Sequence, residues 1–305
     1  MGHDKLRKFA ENETFACLLQ PSAEEVLADG FDNLRDHPIK GHWFEEGGGS
    51  VPPKTCATLG TMRGGTVSFA NGGAERSEAV LGGTTPAAPL ILELGCGKGE
   101  YTLELARRNP DRNYVGVDIK GARLWRGAKT ATQEGLPNVR FLRTRIEFIT
   151  AYFAPGEVSE IWLTFSDPQP KSENNRLTSP VFLERYRKML KPGGVVRLKT
   201  DSRFLHEYTL AVAEANGLKL LADTADLYDG KAEGTIEPEL REVQTFYESM
   251  FLEQGVPITY LAFTIDHEGP FIHPTEKFDA ARWRELDNSR RSFGHGKSSQ
   301  STNNV

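Results

Sequence analysis

Two textures alternate along most of this chain: short, nearly continuous apolar runs, and longer stretches in which apolar residues recur every third or fourth position. The short runs read as strands buried on both faces, and the periodic stretches as amphipathic helices. Strand Leu90–Leu94 precedes helix Tyr101–Arg108, and strand Tyr114–Asp118 precedes a helix over Ala122–Gln133. Val139–Arg143 is a third strand with a short helix behind it, and Glu160–Phe165 a fourth, followed by the loop Ser166-Asp-Pro-Gln-Pro-Lys171. A helix over Ser179–Leu190 meets Lys191-Pro-Gly-Gly194, a helix stop and turn. Strand Val195–Thr200 leads into helix Arg203–Ala215. Strands over Leu218–Ala222 and Ile258–Ile265 enclose a helical segment near Gln244–Gln254. Strands alternating with helices of this length predict an α/β fold built on a doubly wound sheet of seven strands, mostly parallel.

The flanks have other textures. Residues 1–45 mix charge with Phe9, Phe15, Leu18, Leu19, Phe31 and Trp43, enough to pack an extension onto a domain but too little for an independent core. Residues 46–89 hold ten of the 30 glycines and no periodicity, so they are expected to form a flexible insertion. Residues 90–279 carry the α/β rhythm, and 280–305 read as a disordered, Ser/Asn-rich tail.

Composition narrows the setting. No apolar run reaches membrane-spanning length, and Met1–Lys8 lacks the apolar core of a secretory signal. The three cysteines, Cys17, Cys56 and Cys96, are few and widely spaced, which fits a reducing compartment without a metal site. A cytoplasmic protein is expected, monomeric or homodimeric. A net charge of −5 argues against a general polyanion binder. Yet basic residues gather between Lys120 and Arg145 and between Arg185 and Arg203, a local face that a selective RNA enzyme could use.

The candidate chemistry starts at Leu90-Ile-Leu-Glu-Leu-Gly-Cys-Gly-Lys-Gly-Glu100, a strand, a glycine turn and a helix start. Gly95, Gly97 and Gly99 give G-x-G-x-G, whereas a dinucleotide fingerprint has its third glycine where Glu100 stands. A carboxylate at that helix N-terminus would repel a pyrophosphate. Glu93 adds an acid able to hold an ammonium group, and Asp118, ending the second strand, can accept both ribose hydroxyls. An adenosine with an amino-acid tail and no phosphate is S-adenosylmethionine.

Substrate class is read from the end of the fourth strand, since parallel sheets react at their carboxyl ends. Asp167-Pro168 there is not followed by the aromatic that base amino-methyltransferases stack on their target. A ring nitrogen such as guanine N7 needs no proton removed, only alignment with the methyl group and an acceptor on the base edge. Asp167 can be that acceptor, and Lys171 can neutralise a phosphate.

Leu92-Glu-Leu-Gly-Cys-Gly-Lys-Gly99, the Asp167-Pro168 loop with Lys171, Lys199-Thr-Asp201 and Thr245-Phe-Tyr-Glu248 together resemble the bacterial tRNA (guanine-N7)-methyltransferases, over roughly Leu90 to Asp266. The resemblance implies a Rossmann-like methyltransferase sheet with its last strand antiparallel, and methylation of guanine 46 in the tRNA variable loop. It implies that Glu93, Gly95, Gly97, Asp118 and Asp167 bind S-adenosylmethionine and that Asp167 is also the catalytic acid beside the reaction centre. It further implies that Lys171, Asp201, Thr245 and Glu248 contact the RNA, with Thr245 and Glu248 as an acceptor pair on one helix face. The sequence departs from the family at Ser166, where a proline is common, and at Thr144 and Arg145, where an acid or amide often lies near the adenine. Thr144 takes that cofactor position here. Two other readings stay open: a methyltransferase acting on a small molecule or protein, and a non-catalytic RNA-binding Rossmann domain.

Overall fold

The computed structural model of the chain describes residues 3–29, 33–44, 88–231 and 236–288. The insertion expected over 46–89 lies outside these, apart from its last two residues. Among the described residues, nine α-helices and eight strands are formed: α1 His3–Asn12, β1 Leu18–Leu19, α2 Ala23–Val26, β2 Leu90–Leu94, α3 Glu100–Arg108, β3 Asn113–Asp118, α4 Gly121–Glu134, β4 Val139–Arg143, β5 Val158–Thr164, α5 Pro180–Arg187, β6 Leu190–Thr200, α6 Arg203–Ala215, β7 Leu220–Thr224, α7 Glu239–Glu242, α8 Phe246–Glu253, β8 Thr259–Thr264 and α9 Ala280–Trp283.

The strands form one sheet in the order β1-β4-β3-β2-β5-β6-β8-β7, parallel except that β8 runs antiparallel to both its neighbours. The expected seven strands are all present; the eighth is β1, which pairs with the edge of β4 from within the N-terminal extension. β2 is buried along its whole length. Its alternate residues serve two cores, Leu90, Leu92 and Leu94 facing one side and Ile91 the other. The extension is integral to the first core: Val26 and Trp43 are buried in it, and the Trp43 indole N–H donates to the Tyr152 carbonyl at 2.9 Å.

Two boundaries differ from expectation. Lys191-Pro-Gly-Gly194 is no free turn but lies within β6, where the register against β5 shifts between the pairs Val158–Leu190 and Glu160–Val195. The tail expected from Ala280 is helical through Asn288, and Trp283 and Leu286 pack on the first core. Asp287 accepts from the Ser202 hydroxyl and from the Phe204 N–H at 3.0 Å, satisfying the N-terminus of α6. Residues 289–305 lie outside the described residues.

The chain runs β2-β3-β4 outward in one direction and β5-β6 in the other, so the strand order reverses between β2 and β5. A crevice at such a reversal, outside the carboxyl ends of the strands, is where doubly wound sheets hold ligands. The glycine turn after β2 and the Asp167 loop after β5 flank it.

Candidate functional site

The glycine turn is pinned from below. Gly95 N–H and Cys96 N–H donate to the Val117 carbonyl at 2.8 and 3.1 Å. Asp118 fixes the rim: one carboxylate oxygen accepts from Gly97 N–H at 3.0 Å and the other from Lys120 N–H at 2.7 Å. The glycines divide by role. Gly97 has φ +59° and nothing within 4 Å of where a Cβ would project, whereas a Cβ on Gly99, at φ +72°, would stand 2.5 Å from the Phe141 ring. Gly97, like Gly95, leaves open space before the turn; Gly99 closes the packing of turn on sheet and helix. Gly99→Ala is therefore expected to destabilise the fold by about 1–3 kcal/mol through overpacking. Gly97→Ala should cost less stability but weaken S-adenosylmethionine binding. Melting temperature and calorimetric affinity separate the two, and equal loss of melting temperature in both would contradict the division.

Glu93 lies beneath this turn, buried on the α3 side of β2. One of its oxygens accepts from the Thr102 hydroxyl and from Thr102 N–H at 2.9 Å, the other from the Thr164 hydroxyl, so it joins α3 to the end of β5. Burial pushes its carboxyl from 4.5 up to about 7, opposed by the threonine hydrogen bonds and helped by the Asp118 charge. The folded state thus holds this proton more tightly than the unfolded chain. Its contribution to stability is full below about pH 4.5 and is lost as pH rises towards 7. The stability difference between the wild type and Glu93→Gln is expected to fall across that window and level off above it. A difference in urea midpoint that stays constant with pH would refute the linkage.

Across the crevice, Asp167 is exposed and accepts from Gln169 N–H at 2.9 Å. Its loop is strained on both sides: Phe165 and Gln169 occupy the left-handed region at φ +52° and +45°. Lys171 is exposed and has no partner among the described residues. Asp201, half-buried, follows the carboxyl end of β6, two residues before α6. Thr144, after β4, is buried with its hydroxyl 3.5 Å from that of Tyr152. Ile119, which the sequence reading passed over, is 53% exposed beside Asp118 and puts apolar surface on the rim. An apolar residue directly after the rim acid was its signal.

The pair Thr245 and Glu248 needs correction. Thr245 caps α8, its hydroxyl accepting from Glu248 N–H at 3.2 Å. Glu248 does not share an open face with it. It is 0% exposed and pairs at 2.7 Å with Lys199, which is equally buried and also donates to the carbonyls of Leu240 at 2.6 Å and Val243 at 3.0 Å. The Tyr228 hydroxyl donates to the same Glu248 oxygen at 2.7 Å. Thr-x-x-Glu is also the pattern of a helix capping box, of which only the Thr245 half forms here, the Glu248 carboxylate having turned inward to Lys199. Outward on this helix stand Phe246 and Tyr247, 62% and 49% exposed. Phe246 N–H donates to Glu100 at 2.9 Å, so the residue that fills the third dinucleotide position anchors α8 to the glycine turn.

The arrangement fits an adenosine carrying an amino-acid tail: bare backbone at Gly95 and Gly97, an acid at the ribose position and a second acid below. Among the described residues no group of three or more His, Cys, Asp or Glu could hold a metal ion, and no helix is long and apolar enough to cross a membrane.

A family model described as "Putative methyltransferase" matches residues 87–260. A tRNA (guanine-N(7)-)-methyltransferase of Bacteroides thetaiotaomicron is 48% identical over 292 residues, covering 96% of this chain and 98% of its own length. One of Christiangramia forsetii is 45% identical over 264 residues, covering 86% and 98%. Among solved structures, the 16S rRNA methyltransferase KamB aligns with 58% of this chain and 87% of its own, at 18% identity and a TM-score of 0.44.

Proposed function

The chain belongs to the tRNA (guanine-N7)-methyltransferase family, and from that premise we propose that it methylates N7 of guanine 46 in the variable loop of tRNA, in the cytoplasm. The observation that carries the reading is the exposed Asp167, held on a strained loop across the sheet's reversal point from the open glycine turn.

S-adenosylmethionine, when bound, supplies an electrophilic methyl group. Asp118 takes the ribose hydroxyls in this reading, Gly95 and Gly97 admit the tail against bare backbone, and Glu93 supplies a buried carboxyl below it. Thr144 and Ile119 bound the adenine side. Guanine N7 brings its own lone pair, so no residue has to remove a proton. As the N–C bond forms and the S–C bond breaks, positive charge passes to the purine. A carboxylate at Asp167 grips the base edge and faces that developing charge. Lys171, Asp201 and Thr245 are assigned to the RNA, Lys171 as a phosphate contact.

The test is incubation with labelled S-adenosylmethionine and unmodified tRNA, then borohydride and aniline, which cut the chain at 7-methylguanine. Label in the RNA with cleavage at position 46 is the expected result. Label without cleavage would overturn the N7 assignment, and no label in RNA would overturn the tRNA substrate.

A further inference from the structure

We infer that Arg176 is a positioning residue for methyl transfer, tying the Asp167 loop to the C-terminal segment; this rests on the role proposed above for Asp167. Arg176 heads the large side chains that are fully buried. Its guanidinium carbon lies 4.3 Å from the Tyr208 ring centroid and 4.8 Å from that of Phe204. Phe278 meets both rings edge-on, at 5.4 and 5.9 Å, and completes an aromatic seat. The carboxylate paired with it is that of Glu173, at 3.7 Å, too far for a hydrogen bond.

A buried guanidinium is a costly way to fill such a seat, since leucine or methionine would occupy it without a charge to desolvate. What leucine or methionine cannot do there is reach two backbone carbonyls at once. Its Nε donates to Pro168 at 3.2 Å and its Nη2 to Phe278 at 2.6 Å. Pro168 follows Asp167 and precedes Gln169, one of the two left-handed residues of the loop. A loop held in two unfavourable backbone conformations needs an external restraint, and Arg176 is placed to provide one. Phe278 precedes Asp279, the cap of α9, and lies beyond the family-model match, which ends at residue 260. Arg176 therefore joins the C-terminal segment directly to the Asp167 loop.

In Arg176→Lys, kcat for N7 methylation is expected to fall about 100-fold, the scale of a displaced catalytic group. Affinities for S-adenosylmethionine and tRNA should change by less than about twofold. Adding Gln169→Gly, which removes the strain at that position, is expected to recover about tenfold of the loss. A folded Arg176→Lys protein with wild-type kcat, or a loss of kcat that Gln169→Gly leaves untouched, overturns the inference. If Arg176→Lys does not fold, Tyr208→Leu loosens the same seat with the arginine retained; lowered kcat at unchanged affinities supports the role, and unchanged kcat removes it. Wild-type protein that gives no aniline cleavage would instead count against the proposed reaction itself.

Discussion

Asp167→Ala is expected to lower kcat by about 10- to 100-fold while leaving S-adenosylmethionine affinity within a few-fold of wild type. The magnitude follows from losing a hydrogen bond to a charged acceptor, worth about 1.5–3 kcal/mol, in a step that needs alignment more than proton transfer. The direction follows from placement. Asp167 is exposed, and its one recorded hydrogen bond inside the protein comes from Gln169 N–H, so the substitution removes little that holds the fold together. The cofactor contacts assigned to Gly95, Gly97 and Asp118 lie on the other side of the crevice. Asp167→Asn should fall between the two, keeping shape and one acceptor oxygen while exchanging the other for a donor. Single-turnover kinetics with saturating tRNA would check this; a fully active Asp167→Ala protein would remove the residue from the reaction centre.

The second large effect concerns stability. Lys199→Met is expected to destabilise the protein by about 3–5 kcal/mol, because Glu248 would be left buried with a charge and no counter-ion. Burial already pushes the Lys199 ammonium below its usual range, with Glu248 pulling it back. Replacing both, as Lys199→Met with Glu248→Leu, should cost less than Lys199→Met alone, because no unpaired charge remains. Urea unfolding of the single and double variants measures the coupling. If Glu248→Gln kept full stability yet lost tRNA affinity, the side chain would be an RNA contact after all.

Legibility in the sequence followed the range of the forces involved. The alternation of apolar runs gave the β2 to β6 core within a few residues at each end, since buried parallel strands and their covering helices are set by local pattern. The rim at Gly95, Gly97 and Asp118 was readable for the same reason: turn geometry and strand ends are local. What escaped were pairings between segments far apart. Lys199 was read with the basic face between Arg185 and Arg203, whereas it is buried against Glu248, 49 residues on in the sequence. Arg176 carries no local signal of burial, because its seat is assembled from α6 and from Phe278. The helical run beyond Ala280 is short and polar, and Asp287 is what fastens it, through the N-terminus of α6.

The docking of the N-terminal residues has a consequence for chain length. β1 pairs with β4, α1 lies on α4, and the Trp43 ring stacks on Phe153 at 5.1 Å, so residues 3–44 are held by contacts of their own. Docking two segments of one chain closes whatever stretch joins them into a loop. Loop-closure entropy grows only with the logarithm of length, about 0.6 kcal/mol for each doubling. The pairing of β1 with β4 therefore constrains the length of chain between residues 44 and 88 only weakly.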